Sequence, residues 1–130
     1  MNPVEILLVD DEPSHRVISK RALARAFPQA KVRECASLSD ALRVLAEQRC
    51  SLSIAIVDLN LQGQSGLEVV KALRADSRYS TLPIIVNSTS QLELDVQDAY
   101  AASVSAFVFK ADQPEQFSNE LCAAVRFLLR

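Results

Sequence analysis

Asp58 ends an apolar run, Ser53-Ile54-Ala55-Ile56-Val57, and opens the stretch Leu59-Asn60-Leu61-Gln62-Gly63-Gln64-Ser65-Gly66. A carboxylate at such a junction has left the core and can be reached. Asp10 and Asp11 follow Ile6-Leu7-Leu8-Val9, Ser88 follows Ile84-Ile85-Val86-Asn87, and Lys110 follows Phe107-Val108-Phe109. If these runs are parallel strands of one sheet, their C-terminal ends share an edge. That edge carries three acids, a hydroxyl and an ammonium. Mg2+ takes oxygen ligands, keeps several waters and uses one or two carboxylates plus a phosphate. Asp11 and Asp58 can supply two carboxylates, and Asp10 can orient them or hold a water. Acids this close repel one another, and a cation relieves the repulsion. Opposite Asp58, Lys110 would neutralise a phosphoryl oxygen as a point charge, and Ser88 would donate to another. Each residue alone has a plainer use. Asp10-Asp11-Glu12 would favour a helix start, Lys110 would snorkel to water, and serine is common at strand ends. Together they point to a divalent cation and a phosphoryl group.

The elements that must position this set are legible as runs and stripes. Continuous apolar character at 6–9, 54–57, 84–86 and 107–109 implies strands buried on both faces, as in a parallel sheet covered by helices. Lys31-Val32-Arg33-Glu34-Cys35-Ala36 alternates and reads as an edge strand. Helical stripes lie between the runs. Ile18, Ala22, Leu23, Ala26 and Phe27 form the first, and Leu38, Ala41, Leu42 and Leu45 the second. Leu67, Val70 and Leu73 form the third, Leu92, Val96 and Ala99 a more acidic fourth, and Phe117, Leu121, Val125 and Leu128 the fifth. Asp112 with Glu115 resembles a capping box for the last, with Pro114 in its first turn. Strict alternation of five strands and five helices implies right-handed crossovers and an open α/β, doubly wound sheet. Ligands of such sheets bind beyond the carboxyl ends of the strands, where the polar set falls.

Composition bounds the function. A chain of 130 residues that is 49% apolar can bury the core of one domain. A net charge of −2 gives no electrostatic case for nucleic acid or an anionic membrane. No apolar segment approaches the roughly 20 residues of a membrane span, and Met1-Asn2-Pro3-Val4-Glu5 lacks the features of a secretory signal. The three cysteines, Cys35, Cys50 and Cys122, are scattered and read as small buried thiols in a reducing cytosol. Two glycines cannot build a Gly-rich dinucleotide loop.

At Leu8-Val9-Asp10-Asp11-Glu12, at Asp58-Leu59-Asn60-Leu61 through Ser65-Gly66, at Ser88 and at Lys110, the chain resembles the receiver domain of two-component response regulators. The likeness runs from about Val4 to Leu129. It implies one receiver domain over residues 1–130 with the CheY-like, flavodoxin-like fold: a five-stranded parallel sheet in the order 2-1-3-4-5 with five helices. It implies that Asp58 accepts a phosphoryl group from a phosphohistidine on a sensor histidine kinase or phosphotransfer protein. Asp10 and Asp11 would hold Mg2+, with Asp58 and the backbone carbonyl of Asn60 as further ligands. Lys110 and Ser88 would bind phosphoryl oxygens, and Phe107 would turn inward when Ser88 moves. The implied setting is cytoplasmic signalling rather than enzymatic turnover, with no nucleic-acid or membrane contact by this domain. A homodimer through the fourth helix, fifth strand and fifth helix is a family possibility.

The chain also departs from the family pattern. Ala111 stands where proline, usually in a cis bond after the lysine, is common. Ser103 stands for a glycine, Gln62 for a frequent proline, and Thr89 for a smaller residue that would crowd the phosphoryl site less. The lone histidine, His15, reads as a solvated residue at the start of the first helix, and Arg16, Lys20, Arg21 and Arg25 as a wet face that could dock a kinase. Two other functions stay open here. One is a receiver-like interaction module that works without phosphorylation. The other is a Mg2+-dependent phosphohydrolase with Asp58 as nucleophile, for which Asn60 stands where a second acid would be needed.

Overall fold

Burial on both faces is what a helix-covered parallel sheet demands of its inner strands, and the runs at 6–9, 54–57 and 84–86 supply it, whereas 107–109, expected to be buried likewise, lies at the sheet edge with Phe107 and Phe109 only partly buried. The computed structural model describes residues 3–48, 51–90, 92–110 and 112–130. Strands β1 (Glu5–Val9), β2 (Lys31–Cys35), β3 (Ile54–Asp58), β4 (Ile84–Ser88) and β5 (Ala106–Phe109) form one sheet. Its order is β2-β1-β3-β4-β5 and every pairing is parallel, as expected. Helices α1 (Pro13–Ala26), α2 (Leu38–Leu45), α3 (Leu67–Ala75), α4 (Glu93–Ala101) and α5 (Pro114–Leu129) alternate with the strands.

Alternation along the strands divides the core in two. Ile6, Leu8, Ile54, Ile56 and Ile85 pack with Leu23 of α1 and with Phe117, Leu121 and Val125 of α5. Leu7, Val9, Ala55, Val57 and Val86 face the other way, onto Ala41 and Leu45 of α2, Val70 and Leu73 of α3, and Ala99 of α4. Burying one such large side chain contributes about 1.5–3 kcal/mol, against about 1 kcal/mol for a helix cap. Packing therefore decides this fold. Helices α1, α3, α4 and α5 stand with no side-chain cap hydrogen bond. The short α2 has one: Ser37 Oγ accepts from the Asp40 amide at 3.1 Å.

Three further details differ from the sequence expectation. The Asp112–Glu115 capping box does not form, because Pro114 opens α5 and makes Gln113 the cap residue. Leu42, expected on the inner stripe of α2, is 42% exposed. Leu92 is 68% exposed, because it precedes α4 in an extended conformation and the helical period does not reach it.

Register aligns the strand ends: Val9 pairs with Val57, Asp58 with Asn87 and Ser88 with Phe109. The ladder then runs one step further. The Asp10 amide donates to the Cys35 carbonyl at 3.0 Å, Leu59 to Asn87 at 2.8 Å, and Lys110 to Ser88 at 2.7 Å. Each functional residue is thus tied to the rigid sheet at its own backbone. After β3, Asn60–Leu61 pairs antiparallel with Gln64–Ser65. Gln62 (φ 52°) and Gly63 (φ 83°) close this pair with two positive φ angles, the signature of a type I′ hairpin.

Candidate functional site

The strand ends bring Asp10, Asp58 and Lys110 together below the surface, at 1%, 7% and 5% exposure. Lys110 does not snorkel outward. Its Nζ donates to Asp10 Oδ2 and to Asp58 Oδ2, each at 2.9 Å. Backbone amides hold one oxygen of each of the three acids. Asp10 Oδ1 accepts from Glu12 N at 2.9 Å, Asp58 Oδ1 from Asn60 N at 3.1 Å, and Asp11 Oδ2 from Gln62 N at 3.1 Å.

Burial pushes the Asp58 carboxyl above its ordinary range, and Lys110 opposes that rise only in part. Burial also works against the Lys110 ammonium, yet its bonds to Asp58 and Asp10 outweigh it and hold the amine above its ordinary value. The two directions agree once the sharing is counted. Lys110 has two carboxylates, whereas Asp58 has half an ammonium and a second acid beside it.

Asp10, Asp11 and Asp58 each offer an oxygen within 4.8 Å of the others. Three carboxylates against one ammonium leave the pocket negative. Oxygen donors with surplus negative charge fit a hard divalent cation. A cleft of about 410 Å³ opens over them, lined by Asp11, Asp58, Asn60, Ser88, Thr89 and Lys110 among others. Ser88 Oγ accepts from the Ser90 amide at 2.9 Å, which leaves its own proton free to donate into the cleft. Thr89 is exposed at the rim. Phe107 is half-buried against the α2–α3–α4 side of the core rather than in the cleft.

Gly66 and Arg16, named above only in the family segment and in the basic group, support the site in ways the sequence reading did not assign. A Cβ on Gly66 would sit 1.9 Å from the Asp58 carbonyl oxygen, so only glycine lets α3 start this close to the acid. Its being one of two glycines in the chain was the available signal. Arg16 Nη1 donates to the Asp10 carbonyl at 2.6 Å and fixes the β1–α1 turn from below. Nothing in the sequence marked it out. The basic group therefore divides: Arg16 and Lys20 engage Glu34 at 3.9 and 2.8 Å, while Arg21 and Arg25 face α5. His15 is not solvated as expected. It stacks edge-on against Phe117 at 5.1 Å, with Nδ1 buried and unpartnered among the described residues. Burial lowers its pKa, because α5 covers that side of α1.

Of the family departures, Ser103 sits at φ 70°, a left-handed position suited to the glycine it replaces. Gln62 at φ 52° occupies a backbone conformation that proline, fixed near −65°, cannot adopt. Ala111 with the Lys110–Ala111 peptide, and Cys50, lie outside the described residues. Cys122 is a buried free thiol, and Cys35 is buried.

The family profile described as response regulator receiver domain matches residues 6–122. The chain belongs to that family. This receiver domain is 30% identical to a chemotaxis protein CheY homologue of Campylobacter jejuni over 118 residues, 91% of this chain and 89% of the relative. It is 28% identical to the nitrate/nitrite response regulator protein NarP of Escherichia coli, over 95% of this chain and 56% of the relative. Among solved structures, the Vibrio cholerae chemotaxis response regulator CheY4 superposes with a TM-score of 0.79 at 27% identity, over 95% of this chain and 99% of that one. The phosphorylated cyanobacterial phytochrome response regulator RcpA shares the fold with a TM-score of 0.89 at 23% identity, over 98% and 95%. Receiver domains serve two-component signalling, and an acidic Mg2+ pocket is typical of them. Among the described residues, no helix is long and apolar enough to cross a membrane.

Proposed function

We propose that Asp58 is the phosphoacceptor of a phosphorelay, and that residues 1–130 act as one receiver domain in the cytoplasm. The observation that carries this is Lys110 Nζ at 2.9 Å from Asp58 Oδ2, at the mouth of a three-carboxylate pocket. An Asp58 oxygen attacks phosphorus, the bond from phosphorus to the donor imidazole nitrogen breaks, and that nitrogen keeps the electron pair. An ionised carboxylate needs no general base, so the protein's work is positioning and charge neutralisation. Lys110 exchanges a carboxylate oxygen for a phosphoryl oxygen. Ser88, already hydrogen-bonded by Ser90 N, turns its free proton to another. Asp10, Asp11, Asp58 and the Asn60 carbonyl would hold Mg2+, which neutralises charge on the transferred group.

The product adds about −1.5 to −2 charge and strong acceptor oxygens. Drawing Ser88 toward them moves the end of β4. Phe107, half-buried on neighbouring β5, then follows inward and shifts a two-state equilibrium at α4 and β5. Leu92, Leu94 and Tyr100 are exposed at and around α4, where a downstream partner or a second receiver would read the change. The donor is a sensor histidine kinase or phosphotransfer protein. Asn60 offers no second acid, and its Oδ1 already accepts from Gly63 N at 3.1 Å, which speaks against a turnover phosphohydrolase. Transfer from phosphoramidate, a phosphorus–nitrogen donor, tests the reading. Labelling of wild type and none of Asp58→Asn is the supporting result; equal labelling refutes it.

A further inference from the structure

A second concave site lies on the α1–α5 face and shares no lining residue with the acidic cleft. Its volume is about 510 Å³, within the range of small-ligand pockets. Arg21 and Arg25, one turn apart on α1, and Arg126 of α5 all line it, and no carboxylate does. That is unusual placement in a chain of net charge −2.

Five other arginines show the contrast. Arg16, Arg33, Arg43 and Arg78 ion-pair with acids, and Arg74 donates to the Ser103 and Tyr79 carbonyls. Among the described residues, Arg21, Arg25 and Arg126 have no acid partner. Arg126 is instead held over the Phe27 ring at 5.9 Å, which orients its guanidinium without neutralising it. Like charges one turn apart on a helix repel, so the fold carries an uncompensated cost here.

The groove is also two-sided in chemistry. Ile18, Ala22 and Ala26 give it an apolar wall, and Ser118 and Asn119 add neutral hydrogen-bonding groups. Cys122 Sγ donates to the Ala22 carbonyl at 3.5 Å and closes the floor. Guanidinium forks match phosphate oxygens two at a time. An apolar wall beside them suits a ring system attached to those phosphates. We propose that this groove binds a phosphorylated small molecule of the nucleotide class, with its phosphates on Arg21, Arg25 and Arg126 and its ring against Ile18 and Ala22. The site stands apart from Asp58 and needs no phosphorylation.

The test is titration of the intact protein with ATP and with inorganic tripolyphosphate, in EDTA and low salt, by calorimetry and by backbone amide NMR. Saturable binding of ATP is expected, with shifts at Arg21, Arg25, Ser118 and Asn119. Arg126→Gln and the double variant Arg21→Gln/Arg25→Gln should each weaken it at least about tenfold, since charge-assisted bonds are lost. Arg43→Gln, on α2, should leave it unchanged. ATP should bind more tightly than tripolyphosphate. No saturable binding overturns the proposal, as do shifts confined to the acidic cleft or variants that bind like wild type. Tripolyphosphate binding as tightly as ATP removes the ring from the wall and overturns the ligand class. So does a poly-glutamate peptide that binds more tightly than ATP. The shift map is read on wild-type protein, so the result does not hang on any variant folding.

Discussion

Lys110 Nζ reaches Asp58 Oδ2 at 2.9 Å across 52 residues of sequence, and the same ammonium holds Asp10 at the same distance. One buried cation thus balances part of a three-acid cluster. That balance is incomplete, and the surplus negative charge suits a divalent cation.

Removing the ammonium exposes the shortfall. Lys110→Met should destabilise the protein by about 3 kcal/mol in EDTA, because it leaves buried carboxylates without a partner. Mg2+ should recover part of this loss, and more in the variant than in wild type. Urea unfolding with and without Mg2+ checks it. An unchanged midpoint would mean that Lys110 carries no charge balance.

Gly66 separates packing from chemistry. A Cβ placed 1.9 Å from the Asp58 carbonyl oxygen forces α3 or the β3 end to move. Gly66→Ala should cost about 2 kcal/mol by overpacking, and should slow phosphoryl acceptance about 100-fold by displacing the acid. Stability and labelling rate are measured on the same sample. Normal values for both would show that the loop yields freely.

Ser103 carries backbone strain at φ 70°. Ser103→Gly should raise stability by about 0.5–1 kcal/mol, the relief of the left-handed position less the greater freedom of glycine when unfolded. The Ser103 carbonyl still accepts from Arg74 in either case. Thermal unfolding decides, and a lower midpoint would contradict the strain.

His15 sets a pH dependence. Burial against α5 and the nearby Lys110 charge lower its pKa, and Asp10 and Glu12 only partly offset them. The unfolded chain therefore takes up this proton first. The stability contribution is whole above the ordinary value of 6.5 and is lost as pH falls below it. Between about pH 7 and pH 5 wild type should lose more stability than His15→Phe. Parallel curves would show that His15 titrates alike in both states.

The frame and the site could be read from the chain for one reason. Strands covered on both faces must be apolar throughout, so the first polar residue after each run marks where the backbone leaves the core. Asp10, Asp58 and Lys110 are those residues, and Ser88 comes one place after the buried Asn87. Half-buried positions gave no such signal. Leu42 and Leu92 continue an apolar period yet face outward, because helix direction and start depend on tertiary packing. His15 lies under α5, which only the fold brings near, and Arg16 turns back to the Asp10 carbonyl across a turn whose geometry no residue pattern announces. Asp112 fits a capping box, but Pro114 fixes the start of α5 first.

On the proposed reading, Asp58 takes the phosphoryl group in a Mg2+ pocket whose negative charge Lys110 balances in part. Intact-mass measurement after exposure to acetyl phosphate and Mg2+ tests it most directly. One phosphoryl adduct should form on wild type, vanish with EDTA and be absent in Asp58→Asn. An adduct that persists in Asp58→Asn, or a wild type that never forms one, contradicts it.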